Sequence, residues 1–208
     1  MLPGVFVAPE LVGSSDFRAK VGAEVPLALE IYCRHRAHAS HQDGRQAPVR
    51  RSADAGSTDG LVLTGIAVLF EGTCQLGGWV LEVADIPVYV TEASATTGPN
   101  VIAGVNDRDP DSDPEEPIPD RGAWMRVRGN VSVADDYVVD EVERASQRSM
   151  QRLWRVQRIV RLVPTGHESG MRSTYPQLVE AVRHTGDASS YLLDLVAPAT
   201  DTAVTDHA

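Results

Sequence analysis

Lysine is almost missing from this chain: Lys20 stands alone against 18 arginines. The imbalance fits coding from GC-rich DNA, as in many bacteria, and is not by itself selection for guanidinium chemistry. Aromatic residues make up only 5%, so the core has to rest on Val, Leu, Ile and Ala. The two cysteines, Cys33 and Cys74, carry no motif and form no disulfide framework. They read as reduced, partly buried thiols, the usual state in the cytoplasm. No apolar run approaches the roughly 20 residues needed to span a bilayer. The opening Met1-Leu2-Pro3-Gly4-Val5 has neither a basic region nor a long apolar stretch, so no secretory signal and a cytoplasmic location are expected.

Catalytic signatures are missing too. There is no Gly-x-Ser-x-Gly elbow, no phosphate loop and no His-Glu-x-x-His. Gly77-Gly78 lacks the strand–glycine–helix setting of a dinucleotide site. His167-Glu168 and His184 stand outside any motif and read as surface residues. A non-enzymatic protein without a cofactor is the expectation, with an enzyme of unrecognised site as a further alternative.

What is present is an ordinary globular composition, with 42% hydrophobic and 23% charged residues in 208. The formal net charge of −10 disfavours general attraction to nucleic acid or anionic lipid. The charge is uneven: Leu61 to Asp140 holds 4 Arg against 14 acids, and Glu141 to Ala208 holds 8 Arg against 8 acids.

Strand candidates dominate the pattern. Val5-Phe6-Val7 is short. Val25 to Cys33 alternates, with Pro26 at a start or an edge. Leu61 to Phe70 is apolar on both faces, with Gly65 as a candidate bulge. Trp79 to Val90 follows the turn at 71–78 and is interrupted by Pro87. A short helix is expected over Asp140 to Met150, capped by Asp140. A second helix opens at Thr174-Tyr175-Pro176-Gln177 and ends at Gly186, with Leu178, Val179 and Val182 inward. Tyr191 to Val196 is the last strand. Residues 34–60 and 91–122 read as mobile insertions in a single barrel-like domain over 1–197, and 198–208 as a disordered tail. The order predicts a mainly β (α+β) fold: a small β-barrel, OB-like or SH3-like, with one inserted short helix and a C-terminal helix plus strand.

Two tryptophan-led segments carry the functional expectation. In Trp124 to Val133 the residues Met125, Val127, Val131 and Val133 share one face, and Trp124, Arg126, Arg128, Asn130 and Ser132 share the other. Leu153 to Val163 alternates similarly, with Arg155, Gln157 and Arg161 expected on its wet side. If the two strands lie in one sheet, Trp124, Arg126 and Arg128 sit near Arg155, Gln157 and Arg161 and form one binding face. Protein–protein contact or self-association through that face, or through an exposed strand edge, is the expected mode. A single-stranded nucleic-acid binder is the alternative, since stacking planes and guanidinium groups also suit bases and phosphates. No membrane partner is expected.

Two other constellations are weaker. Cys33, His35, His38 and His41 are soft and borderline ligands, but their spacing matches no zinc pattern and all four fall within nine residues, so no metal is expected. Asp107, Asp109, Asp111, Asp113 and Glu115 alternate as in a calcium loop, yet Ser112 and Ile118 occupy the positions that need glycine and glutamate. The acidic stretch 106–120 is instead expected to be solvated, and able to fold over the arginine face and mask it.

Overall fold

A computed structural model describes residues 1–14, 17–46, 49–51, 60–70, 74–92, 118–165, 173–186 and 188–197. In chain order the elements begin β1 (Leu2–Val7), α1 (Pro9–Ser14), β2 (Glu24–Leu27), β3 (Leu29–His38), α2 (His41–Gln46) and β4 (Val49–Arg51). Then come β5 (Leu61–Val68), β6 (Trp79–Val83), β7 (Ile86–Glu92), β8 (Trp124–Val133) and α3 (Asp136–Ser146). The chain closes with β9 (Arg152–Thr165), β10 (Ser173–Val179) and β11 (Ser190–Val196).

Five of these strands close on one another as a barrel in the ring β8–β3–β7–β6–β5–β8. All contacts in the ring are antiparallel except β3 with β7, which is parallel. β8 is the pivot. One edge pairs β3 along its length; the other gives residues 124–129 to β5 and Ser132 to β1. From that last contact the sheet runs on as β1–β11–β9–β10, with β2 on β9 beside β10. Alternation explains the packing: Leu29, Ile31, Leu63, Trp79, Leu81, Val90, Met125 and Val127 fill the barrel, continuous with Val5, Val7, Trp154, Val156, Ile159, Leu193 and Leu195 of the extension.

α3 covers the outer side of β6 and β7. Val139, Val142 and Met150 pack there on Val80, Tyr89 and Ala28. Its cap is Asp135, whose carboxylate accepts from the Val138 N–H at 2.8 Å. The helix therefore begins earlier than the expected Asp140, which lies inside it.

The expected small barrel with an inserted helix is the observed architecture. Several finer expectations are corrected. The proposed C-terminal helix from Thr174 is β10, paired antiparallel to β9 from Ser173↔Thr165 to Val179↔Ile159. Leu178 is 71% exposed, not inward. β9 is long enough to offer a partner over this whole stretch, and a paired strand tolerates Pro176 on its open edge. Residues 34–60 are not all loop: β3 runs to His38, and α2 and β4 follow. Trp79 to Val90 is a hairpin rather than one interrupted strand, because Ala84 and Asp85 both adopt positive φ and reverse the chain. Val25 to Cys33 divides at Ala28, so that β2 joins β9 and β3 enters the barrel. No register shift occurs at Gly65; a Cβ there would overlap the Glu82 carbonyl, so the glycine serves close approach of β5 to β6. The tail 198–208 and most of 91–122 lie outside the described residues.

Candidate binding face on the barrel

The outer row of β8 takes shape as its alternation requires. Met125, Val127, Val131 and Val133 are buried, while Trp124, Arg126 and Arg128 are half-buried and Asn130 is exposed. Register places Asn130 beside Tyr32 of β3, Arg128 beside His35, and Arg126 beside Ala37. Tyr32 is 43% exposed. The outer side of β3 and β8 is thus a strip with an aromatic near each end and guanidinium groups between.

At its Trp124 end the strip is covered. After β3 the Ala39 N–H donates to the Trp124 carbonyl at 2.8 Å, and the chain turns back over β8 as α2. His41 meets the indole edge-on, with centroids 5.1 Å apart. Gly44 lies flat against the six-membered ring, where any Cβ would overlap it. Asp43 Oδ1 reaches Arg126 Nη2 at 3.2 Å. The other oxygen of Asp43 accepts from the Ser40 N–H at 3.0 Å and the Ser40 hydroxyl at 2.9 Å, and so caps the six-residue helix. Among the described residues, buried Arg126 Nε has no hydrogen-bond partner. The cover on this face is therefore α2; the acidic stretch 106–120 expected to mask it lies outside the described residues except for 118–120.

The second tryptophan strand does not join the face. β8 and β9 are separated by β1 and β11. Trp154 is buried, and its indole N–H finds no acceptor among the described residues. Arg155 is outward and pairs Glu24 at 3.8 Å. A bulge at Gln157, where Arg158 opposes Asp194 but Val156 opposes Leu195, then reverses the alternation. Arg158 is left outward, with Nε 2.8 Å from Asp194 Oδ2. Arg161 falls on the inward side opposite Tyr191, with Nε 3.1 Å from the Ser189 hydroxyl. The expected grouping of Arg155, Gln157 and Arg161 with Trp124 is corrected on these grounds.

The histidine run is likewise not gathered. Cys33 is buried in the barrel, while His35, His38 and His41 are exposed. Among the described residues no group of three His, Cys, Asp or Glu side chains is placed to hold a metal ion. A bulge at Arg34 separates Cys33 from His35 and turns Arg36 inward, opposite Val127. There Arg36 Nη1 lies 3.1 Å from Glu92 Oε1, which also accepts from the Trp79 indole N–H at 2.7 Å. Strict alternation hides this internal polar cluster, because it depends on the extra residue in β3. Burial, with Glu92 adding to it, pushes the Cys33 thiol up to about 12.

Two open clefts lie elsewhere on the surface. One of about 410 Å³ is lined by Glu82, Asp85, Arg148, Ser149 and Arg152, and its Glu82 is paired to Arg148 at 3.0 Å. The other, of about 630 Å³, lies between residues 18–26 and 181–183, with Arg18, Lys20 and Arg183 around an apolar floor. Neither brings a histidine to a pair of acids. No helix among the described residues is long and apolar enough to cross a membrane. No family model matches this chain, and neither the curated proteins nor the solved structures yield a match.

Proposed function

We propose that this is a non-enzymatic binding module that engages another protein through the outer side of β3 and β8. The observation that carries the reading is the strip itself: Tyr32, His35, Arg128, Asn130, Arg126 and Trp124 in adjacent registers, outside a closed barrel. Tryptophan, tyrosine and arginine are the side chains that concentrate binding energy at protein interfaces. The barrel supplies a rigid base, because Met125, Val127 and Val131 of β8 and Ile31 and Cys33 of β3 are locked in the core between them. Affinity capture with the full chain tests the reading. The Trp124→Ala, Arg126→Ala double variant should lose partners that the wild type retains. Capture of the same partners at the same yield by both proteins refutes it.

A nucleic-acid reading has one observation in its favour. Taken cyclically from β5, the strands β5–β6–β7 make an antiparallel meander, β7 meets β3 in parallel, and β3–β8–β5 closes the ring. That pairing resembles an OB barrel whose last strand has been moved to the start of the chain. OB barrels bind oligonucleotides on their second and third strands. The corresponding strands here, β6 and β7, have Val80 and Tyr89 buried under α3. The protein-binding reading is therefore preferred. Salt-sensitive binding of a single-stranded oligonucleotide, lost in Arg126→Ala, would reverse that preference.

A further inference from the structure

We infer that α2 is a displaceable stand-in on the binding face, and that the partner it stands in for is a protein segment that presents a carboxylate to Arg126. This rests on the reading of the strip given above. The groups that α2 sets on the face define what the face accepts: a carboxylate at Arg126, a residue without a side chain against the indole, and a flat ring at the indole edge.

The fit is incomplete in a way that favours exchange. Arginine binds a carboxylate best through two parallel N–H···O bonds. Asp43 offers Arg126 one oxygen, because the other is taken by the cap at Ser40. Arg126 Nε is left buried without an acceptor among the described residues. A carboxylate arriving from outside, free of a capping duty, can meet Nε and Nη2 together. The cover is also slight. A six-residue helix has little stability of its own, and its ion pair to Arg126 has side chains 36% and 42% exposed. Past Arg126 the strip continues to the exposed Asn130 and Tyr32, surface for a segment longer than α2. A protein of net charge −10 would confine its attraction for acidic segments to such a local site.

The experiment uses the full chain and a short synthetic peptide alternating glutamate and glycine, with a neutral glutamine–glycine peptide and a single-stranded oligonucleotide as controls. Gly44→Ala drives a methyl group into the Trp124 ring and lifts the cover, with the Asp43 and Arg126 side chains chemically unaltered. Asp43→Asn loosens the cover by removing its charge while keeping an oxygen for Ser40, and serves if Gly44→Ala does not fold. Trp79 and Trp154 are buried, so a red shift of tryptophan emission reports on Trp124. Each variant should show that shift and bind the acidic peptide about 3- to 5-fold more tightly than the wild type, the gain available from releasing one exposed ion pair. Adding Arg126→Met should abolish peptide binding and leave the red shift. No emission change in either variant overturns the displaceable cover. A red shift with no gain for the acidic peptide, or an equal gain for the neutral peptide or the oligonucleotide, overturns the acidic partner. In those cases the wider claim for the strip is judged separately, by whether Trp124→Ala with Arg126→Ala loses captured partners.

Discussion

Replacing Glu92 by glutamine should destabilise the fold by about 2–4 kcal/mol, although the two side chains are nearly the same size. Inside the barrel Glu92 Oε1 accepts from the Trp79 indole N–H at 2.7 Å and forms an ion pair with the Arg36 guanidinium, 3.1 Å away. Glutamine keeps an oxygen for Trp79, so the substitution isolates the charge pair. The Arg36 side chain is 8% exposed and that of Glu92 19%, so the pair lies nearer the buried than the solvated limit. Breaking a buried pair from one side costs about 3–5 kcal/mol, mostly from the charge left behind; partial exposure trims that figure. Urea melts should show the loss, as should a fall in Tm of roughly 4–16 °C for a chain of this size.

The partner substitution makes the test specific. Arg36→Met with Glu92→Gln removes both charges and keeps the indole acceptor. It should recover more than half of the loss, which implies a coupling of about 2 kcal/mol between the two sites. Glu92→Leu should cost a further ~1–2 kcal/mol beyond Glu92→Gln, because the Trp79 N–H then has no acceptor. A coupling below about 0.5 kcal/mol, the size found for exposed pairs, would mean that water reaches Arg36 and that the bulge at Arg34 does not seal it into the barrel.

Three more outcomes are expected. The β6–β7 turn places Ala84 at φ 47° and Asp85 at φ 67°; Asn-Gly suits such a turn, so Ala84→Asn with Asp85→Gly should raise stability by about 1 kcal/mol, and an unchanged urea midpoint would count against a strained turn. Burial, opposed by the hydrogen bond from Ser132, raises the Glu30 carboxyl above its ordinary 4.5. With the folded value raised, its contribution to stability is whole below that ordinary value and is lost as pH rises through the folded one. Glu30→Gln should therefore stabilise the protein at neutral pH and give no gain below about pH 4.5; a gain independent of pH would refute the assignment. With its thiol pushed up to about 12, Cys33 holds on the order of one thiolate in ten thousand at pH 8. A thiol reagent should modify the half-buried Cys74 first and Cys33 only on unfolding, and equal labelling of both in the native protein would contradict the burial of Cys33.

Legibility in the sequence followed the regularity of each strand. β8 keeps period two through all of its residues, so its inward Met125 to Val133 and outward Trp124 to Ser132 are both readable. β9 and β3 each carry one extra residue, at Gln157 and Arg34, and alternation extrapolated past a bulge has the wrong sign. That is why Arg161 reads as outward and why Arg36 does not read as internal. The segment after Thr174 mimics a helix start through threonine and proline, but cross-strand pairing to β9 decides its conformation, and no local pattern records a partner. Strand order has the same character: nothing near Trp154 says that β1 and β11 lie between it and Trp124. The cover on Trp124 has a faint local signal in Ser40 and Asp43, spaced as a capping pair, which a composition-based reading of residues 34–60 as loop passes over.

The arginines show why the strip on β8 differs from the rest of the surface. Arg36 takes its carboxylate from β7, Arg155 from β2, Arg158 from β11, Arg148 from β6, and Arg144 from within α3. In each of these pairs the acid belongs to an element anchored by strand pairing or core contacts. The acid-bearing backbone therefore stays beside its arginine even when an exposed pair such as Arg155–Glu24 opens by side-chain rotation. Arg126 takes its carboxylate from α2, a turn and a half between two strands, whose contacts with the barrel include one half-exposed ion pair and those of His41 and Gly44 with Trp124. The two bulges have the complementary effect of turning Arg36 and Arg161 away from solvent. Among these pairs, Arg126–Asp43 is the one whose acid sits on a short element outside the strand pairing and the α3 packing, so the whole acid-bearing segment can move while every strand stays paired.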